Sequence, residues 1–177
     1  MKRVLILLIA LSLTGCANSA TEVAAPGKVI DCSSIKHVPD VADAKVLDCL
    51  DGSTGFSVAS LRGPLIVNVW GSWCGPCKQE MPYFVDFYQR ANGKVDLLGI
   101  AVEESSARNP KEFIVNNGMT WPNLFDADGS TREDFGMGVP VTWFIDEEGT
   151  VTYKHVGPIS STIELIKLTA KYLKVSI

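Results

Sequence analysis

No stretch of this 177-residue chain is long and apolar enough to cross a bilayer. The longest such run, residues 4–13, is broken once, by Ser12, and falls well short of the roughly 20 residues a spanning helix needs. Charge of one sign is also missing. Sixteen Lys and Arg against twenty Asp and Glu leave a net charge of -4. No basic patch suits nucleic acid, and no acidic run marks a disordered tail. Histidine is scarce, with only His37 and His155. A structural zinc site needs about four ligands, often two Cys-x-x-Cys pairs or one pair with histidines. The chain has one such pair, and Cys32, Cys49, His37 and His155 stand at no matching spacing, so no metal or other cofactor is expected. There are no internal repeats. What is present is an ordinary globular composition, 46% hydrophobic and 20% charged, in a length that suits one domain with a real core.

The amino terminus reads as a leader. Lys2 and Arg3 precede the apolar run 4–13, which has the length of a signal-peptide core. It ends in Leu13-Thr14-Gly15-Cys16, which resembles a bacterial lipobox. That resemblance implies removal of residues 1–15 and diacylation of Cys16, which would anchor the protein outside the cytoplasm, since two or more acyl chains hold stably where one does not. Residues 16–28 are small, polar and contain Pro and Gly, as in a flexible tether. The folded domain is expected over 29–177.

Five cysteines need roles: Cys16, Cys32, Cys49, Cys74 and Cys77. Export would place them where disulfides persist. With Cys16 lipidated, four remain. Cys74 and Cys77 are too close to staple much chain. Cys32 and Cys49 then pair by elimination, closing a loop that contributes about 3 kcal/mol on the chain-entropy estimate. Two free thiols, or a relay for electrons, remain the alternative.

Strand-like segments are expected at 46–50, 56–58, 65–70, 95–102, 121–125, 141–145 and 150–154. The run Leu65-Ile66-Val67-Asn68-Val69-Trp70 suits a strand buried on both faces. Helices are expected at 75–91, from Asn109 as cap to Gly118, from Ser130 as cap to Phe135, and from Ser161 onward, with Ile163, Ile166, Ala170 and Leu173 facing inward. Asp126-Ala127-Asp128-Gly129 is calcium-like, but its glycine comes at position four of the loop rather than six, which marks a turn. Alternating strands and helices followed by an antiparallel hairpin describe an α/β domain, a mixed sheet with helices on both faces.

The chemistry concentrates in Trp73-Cys74-Gly75-Pro76-Cys77. A cysteine at the start of a helix faces unpaired N–H groups and the positive end of the helix dipole. Both favour a thiolate nucleophile. Cys77, one turn on, can attack a mixed disulfide formed on Cys74. Pro76 tolerates its missing N–H there, and Gly75 leaves backbone accessible beside the thiol.

These residues resemble thioredoxins. Trp73-Cys74-Gly75-Pro76-Cys77-Lys78 matches their active-site motif, Pro82 their helix-kinking proline, and Gly138-Val139-Pro140-Val141-Thr142 their cis-proline loop. The match spans residues 56–173. It implies a thioredoxin-like fold with Pro140 beside the cysteines and with Trp73, Val139 and Pro140 shaping the substrate groove. Asn68 stands where thioredoxins carry a buried aspartate, and Glu80 lies one turn beyond Cys77. That pattern, with an extra helix and strand over 105–125 and an N-terminal strand extension, resembles the TlpA/ResA-like group of exported, membrane-anchored thiol–disulfide oxidoreductases. The resemblance implies that Glu80 accepts the Cys77 proton. It implies reduction of disulfides in exported cysteine-containing proteins such as apocytochrome c, recycling by a membrane redox partner, and action as a monomer. An oxidase that donates disulfides is the runner-up. Copper chaperones of this fold resemble Cys-x-x-x-Cys with a distal histidine; here one residue fewer separates the cysteines, and His155 has the bland reading of a surface residue. A peroxidase is disfavoured because no Thr-x-x-Cys nucleophile motif stands out.

Overall fold

A computed structural model describes residues 25–39, 44–136 and 138–177. The leader, Cys16 and the tether as far as residue 24 lie outside the described residues. The chain already binds the domain slightly ahead of the expected start: Gly27 and Lys28 donate backbone hydrogen bonds to Val115 and Met119.

Seven strands form one mixed sheet: β1 (Val46–Cys49), β2 (Phe56–Ser57), β3 (Leu65–Trp70), β4 (Asp96–Val102), β5 (Asn123–Asp126), β6 (Val141–Ile145) and β7 (Val151–Val156). Their spatial order is β2-β1-β5-β4-β3-β6-β7. β3, β4 and β5 run parallel; the remaining neighbours are antiparallel. The helices are α1 (Gly75–Ala91), α2 (Arg108–Asn116), α3 (Arg132–Phe135) and α4 (Thr162–Tyr172). This is a thioredoxin-like α/β fold.

The central strand explains the layering. All six residues of β3 are buried, as its apolar run requires. Ile66 and Trp70 point into a core shared with Met81, Phe84 and Phe87 of α1, Phe113 and Ile114 of α2, and Leu165 of α4. Leu65, Val67 and Val69 point the other way, into a core closed by Phe135 of α3 and the N-terminal segment carrying Cys32 and Ile35. Burying these side chains is worth about 1.5–3 kcal/mol each. Gly99 has a packing role: a Cβ there would lie 1.8 Å from the Asn123 Oδ1 that accepts the Trp70 indole N–H at 3.1 Å.

Three helix details depart from expectation. α2 begins at Arg108, and Asn109 does not cap it; its amide donates to Ser105 Oγ, while Glu112 pairs with Arg108. α3 is held not by Ser130 but by Asp126, whose carboxylate accepts the N–H and hydroxyl of both Ser130 and Thr131. In α4 the inward face is Thr162, Leu165 and Thr169, with Leu173 just beyond. Ile163 is 56% exposed, and Ala170 is exposed too. Thr162 and Thr169 can face inward because their hydroxyls donate to the Tyr83 and Leu165 carbonyls, while Ser161 caps the helix as expected by accepting the Glu164 N–H.

Candidate active site

β3 delivers the site. Its last residue, Trp70, pairs with Ala101 of β4; the chain then leaves the sheet through Gly71, Ser72 and Trp73. Cys74 caps α1 with extended backbone, and its Sγ accepts the Cys77 N–H at 3.1 Å. One of the helix's free N–H groups is thereby aimed at the sulfur. Pro76 occupies the first turn, where its missing N–H costs nothing. Cys74 and Cys77 are joined as a disulfide. Their surroundings differ: Cys74 is 5% exposed and Cys77 0%. Gly75 stands in open space.

The rim is built from separated segments. The Val139–Pro140 peptide bond is cis, and the Val139 carbonyl oxygen lies 3.8 Å from Cys74 Sγ. Pro140 itself is buried. Trp73 is 55% exposed, its indole N–H directed at the carbonyls of Val102 and Glu103 at 3.3 and 3.1 Å. A small cleft opens between Trp73 and Val139, lined also by Val69, Val102 and Phe135.

Beneath the pair, Glu80 is fully buried on the same face of α1 as Cys77. Asn68 Nδ2 donates to Glu80 Oε1 at 2.9 Å, and the Ile159 N–H donates to Oε2 at 2.8 Å. Burial pushes the Glu80 carboxyl up to about 7, against the downward pull of these two hydrogen bonds. The Asn68 Oδ1 is buried and has no partner among the described residues. Rotating that amide would present an acceptor to a protonated Glu80, so one neighbour serves both protonation states.

The remaining predicted residues lie elsewhere. Cys32 and Cys49 are bonded to each other within the opposite core, both 2% exposed. His155 lies on β7, half-buried. Among the described residues no group of three or more His, Cys, Asp or Glu is placed to hold a metal ion. Sequence reasoning missed one contact: Ser72, two residues before Cys74, donates both its N–H and its hydroxyl to the buried carboxylate of Glu104. The available signal was a pair of acidic residues directly after a buried strand, which by pattern alone reads as a solvated turn.

The profile of the Redoxin family matches residues 35–170. The chain belongs to the Redoxin family. This redoxin is 33% identical over 150 residues to the thiol-disulfide oxidoreductase ResA of Geobacillus thermodenitrificans, an alignment covering 83% of the chain and 79% of that relative. It is 31% identical to the thiol:disulfide interchange protein DsbE of Pseudomonas fluorescens, covering 71% and 70%. The crystal structure of StoA from Bacillus subtilis superposes with a TM-score of 0.60 at 25% identity, covering 74% of the chain and 99% of StoA. The redoxin is thus a thiol–disulfide oxidoreductase of the ResA/StoA/DsbE type. Enzymes of this kind work through a cysteine redox centre, and this chain carries a Cys-x-x-Cys pair at bonding distance.

Proposed function

We propose that the protein is exported, anchored through lipid on Cys16, and reduces disulfides of exported polypeptides such as apocytochrome c, with Cys74 attacking and Cys77 resolving. The carrying observation is the asymmetry of the pair: Cys74 has exposed surface and a helix N–H on its sulfur, whereas Cys77 has none of its surface exposed. In the reduced protein the Cys74 thiolate attacks one sulfur of a substrate disulfide. That S–S bond breaks, and the departing substrate thiolate takes a proton. Cys77, its proton passed to Glu80, attacks the Cys74 sulfur of the mixed disulfide. The second substrate thiol is released, and the Cys74–Cys77 bond forms. Two electrons have moved from protein to substrate, and a membrane redox partner restores the dithiol. Trp73, Gly75, Pro76, Val139 and Pro140 shape the approach, Cys32–Cys49 is a structural staple, and the protein acts as a monomer.

The reduction potential tests the direction. The full-length protein is equilibrated in detergent with defined thiol–disulfide buffers, and free thiols are counted by alkylation and mass. A value near -250 mV or lower, about that of thioredoxin, supports the reductase; a value near -120 mV, about that of a strong disulfide donor, replaces it with the oxidase. The same mass spectra report whether Cys16 carries acyl chains, and an unmodified Cys16 would end the anchoring part of the reading.

A further inference from the structure

The parallel ladder between β3 and β4 stops at Trp70 and Ala101. Beyond it, the loop that presents Cys74 is held by the turn after β4 at three points. Ser72 donates its N–H to Glu104 Oε1 at 2.5 Å and its hydroxyl to Oε2 at 2.7 Å. The third point is the Trp73 indole, on the Val102 and Glu103 carbonyls. Glu103 reaches this arrangement with a φ of 55°, a left-handed conformation that L side chains disfavour. Glu104 itself is 5% exposed, and among the described residues no cation lies within ion-pair distance of it. A buried carboxylate, its two oxygens bonded among the described residues by one serine, stands next to the amino end of α1.

We propose that Glu104 is a positioning residue for the reactive cysteine, fixing the loop that carries Cys74 and, through its negative charge beside that helix end, biasing the Cys74–Cys77 couple toward the reducing side. The inference rests on thiol–disulfide exchange at this pair. On reduction the disulfide takes up two electrons and two protons, or one proton where Cys74 stays a thiolate. The helix end favours that thiolate, and a fixed negative charge nearby opposes it. Opposing it disfavours the reduced form, so the dithiol gives up its electrons more readily. The other charges around the loop are unaltered by a change at Glu104. Glu103 is paired with Arg132, Arg108 of α2 with Glu112, Lys78 of α1 lines an exposed depression with Ser72, and Glu80 is bonded to Asn68.

Glu104→Gln tests the charge at constant shape, because a glutamine oxygen still accepts the Ser72 N–H while its amide donates to the Ser72 hydroxyl. The full chain and the variant are equilibrated in glutathione buffers, and the pH profile of Cys74 alkylation is recorded. The expected result is a shift of the exchange equilibrium toward the dithiol by about fivefold, equivalent to about 20 mV at 29.6 mV per tenfold. The Cys74 alkylation midpoint falls in parallel. A variant that melts earlier but keeps the wild-type equilibrium and pH profile makes Glu104 merely structural and overturns the inference. Ser72→Ala removes one donor and keeps the charge, so it serves if the glutamine variant does not fold. Its couple shifts the opposite way or stays put, and a shift toward the dithiol would overturn the inference as well. If wild-type Cys74 and Cys77 never equilibrate with glutathione, the exchange reading itself fails, whatever Glu104 does.

Discussion

A carboxyl group without exposed surface, one helical turn from a cysteine and titrating near neutrality, is suited to move a proton. Glu80 has all three properties. Its value of about 7 lies above the ordinary 4.5 because burial penalises the charged form. The folded protein therefore keeps a proton on Glu80 that the unfolded chain releases above about pH 4.5. Folding stability from this group falls as pH rises through the window from about 4.5 to about 7, by about 3 kcal/mol in all, and is flat above it. Glu80→Gln removes that slope, so urea midpoints of wild type and variant converge near pH 4 and diverge in favour of the variant by pH 8. The resolving attack by Cys77 should slow on the order of 100-fold, the usual loss for a general base. A variant with an unchanged resolving rate would end the proton-transfer role, and an unchanged pH slope would mean that Glu80 titrates normally. The sequence placed Glu80 under the pair by helical spacing alone. It could not show that the Ile159 N–H, from the far end of the chain, completes the site.

Element by element, the sequence was clearest where an apolar pattern has one solution, as in β3 and α1. It was least clear where a polar side chain had several possible partners. Ser130 and Asn109 each satisfy a capping rule, yet neither caps its helix. In both cases a nearer partner wins: Asp126 gathers the donors at the start of α3, and Ser105 takes the Asn109 amide. The α4 stripe was misassigned for a related reason, since two small polar residues, Thr162 and Thr169, can be buried once they bond to carbonyls. Asp126 is fully inside and accepts four hydrogen bonds. Asp126→Ala strands two backbone N–H groups and should cost about 3 kcal/mol in urea unfolding, while Asp126→Asn, which keeps an acceptor, should cost about 1 kcal/mol. Equal losses for the two would show that volume rather than hydrogen bonding matters there. Gly136, Gly138 and Val139, which follow α3, line the cleft, so the alanine variant should also loosen its grip on peptide disulfides more than on glutathione.

Across the whole molecule, the two disulfides lie in opposite cores of one sheet, and the proposed division of tasks between them rests on that placement. Cys74–Cys77 lies just beyond the point where β3 leaves the sheet, Cys74 keeping 5% of its surface exposed and Cys77 none. Cys32–Cys49 fastens the N-terminal segment to β1, its sulfurs 3.7 and 3.6 Å from the Asn123 carbonyl of β5. Cysteine counting could pair Cys32 with Cys49 but could not place them, because β1 pairs with β5, a strand more than seventy residues away. Asn123 also bonds the Trp70 indole, so the staple and the active-site strand share a neighbour. That link makes the division of labour testable. Replacing Cys32 and Cys49 together by Ser should lower stability by about 3 kcal/mol, from the loop the bond closes. The Cys74–Cys77 potential should stay within measurement error of wild type, because the staple contributes neither charge nor a hydrogen bond to the pair. Titrating the wild type against increasingly reducing buffers should open Cys74–Cys77 first and leave the buried bond closed. If all four thiols appear together, or if the double variant shifts the potential, the second pair is part of the electron path. Reduction by the enzyme would then draw on two coupled dithiols rather than one.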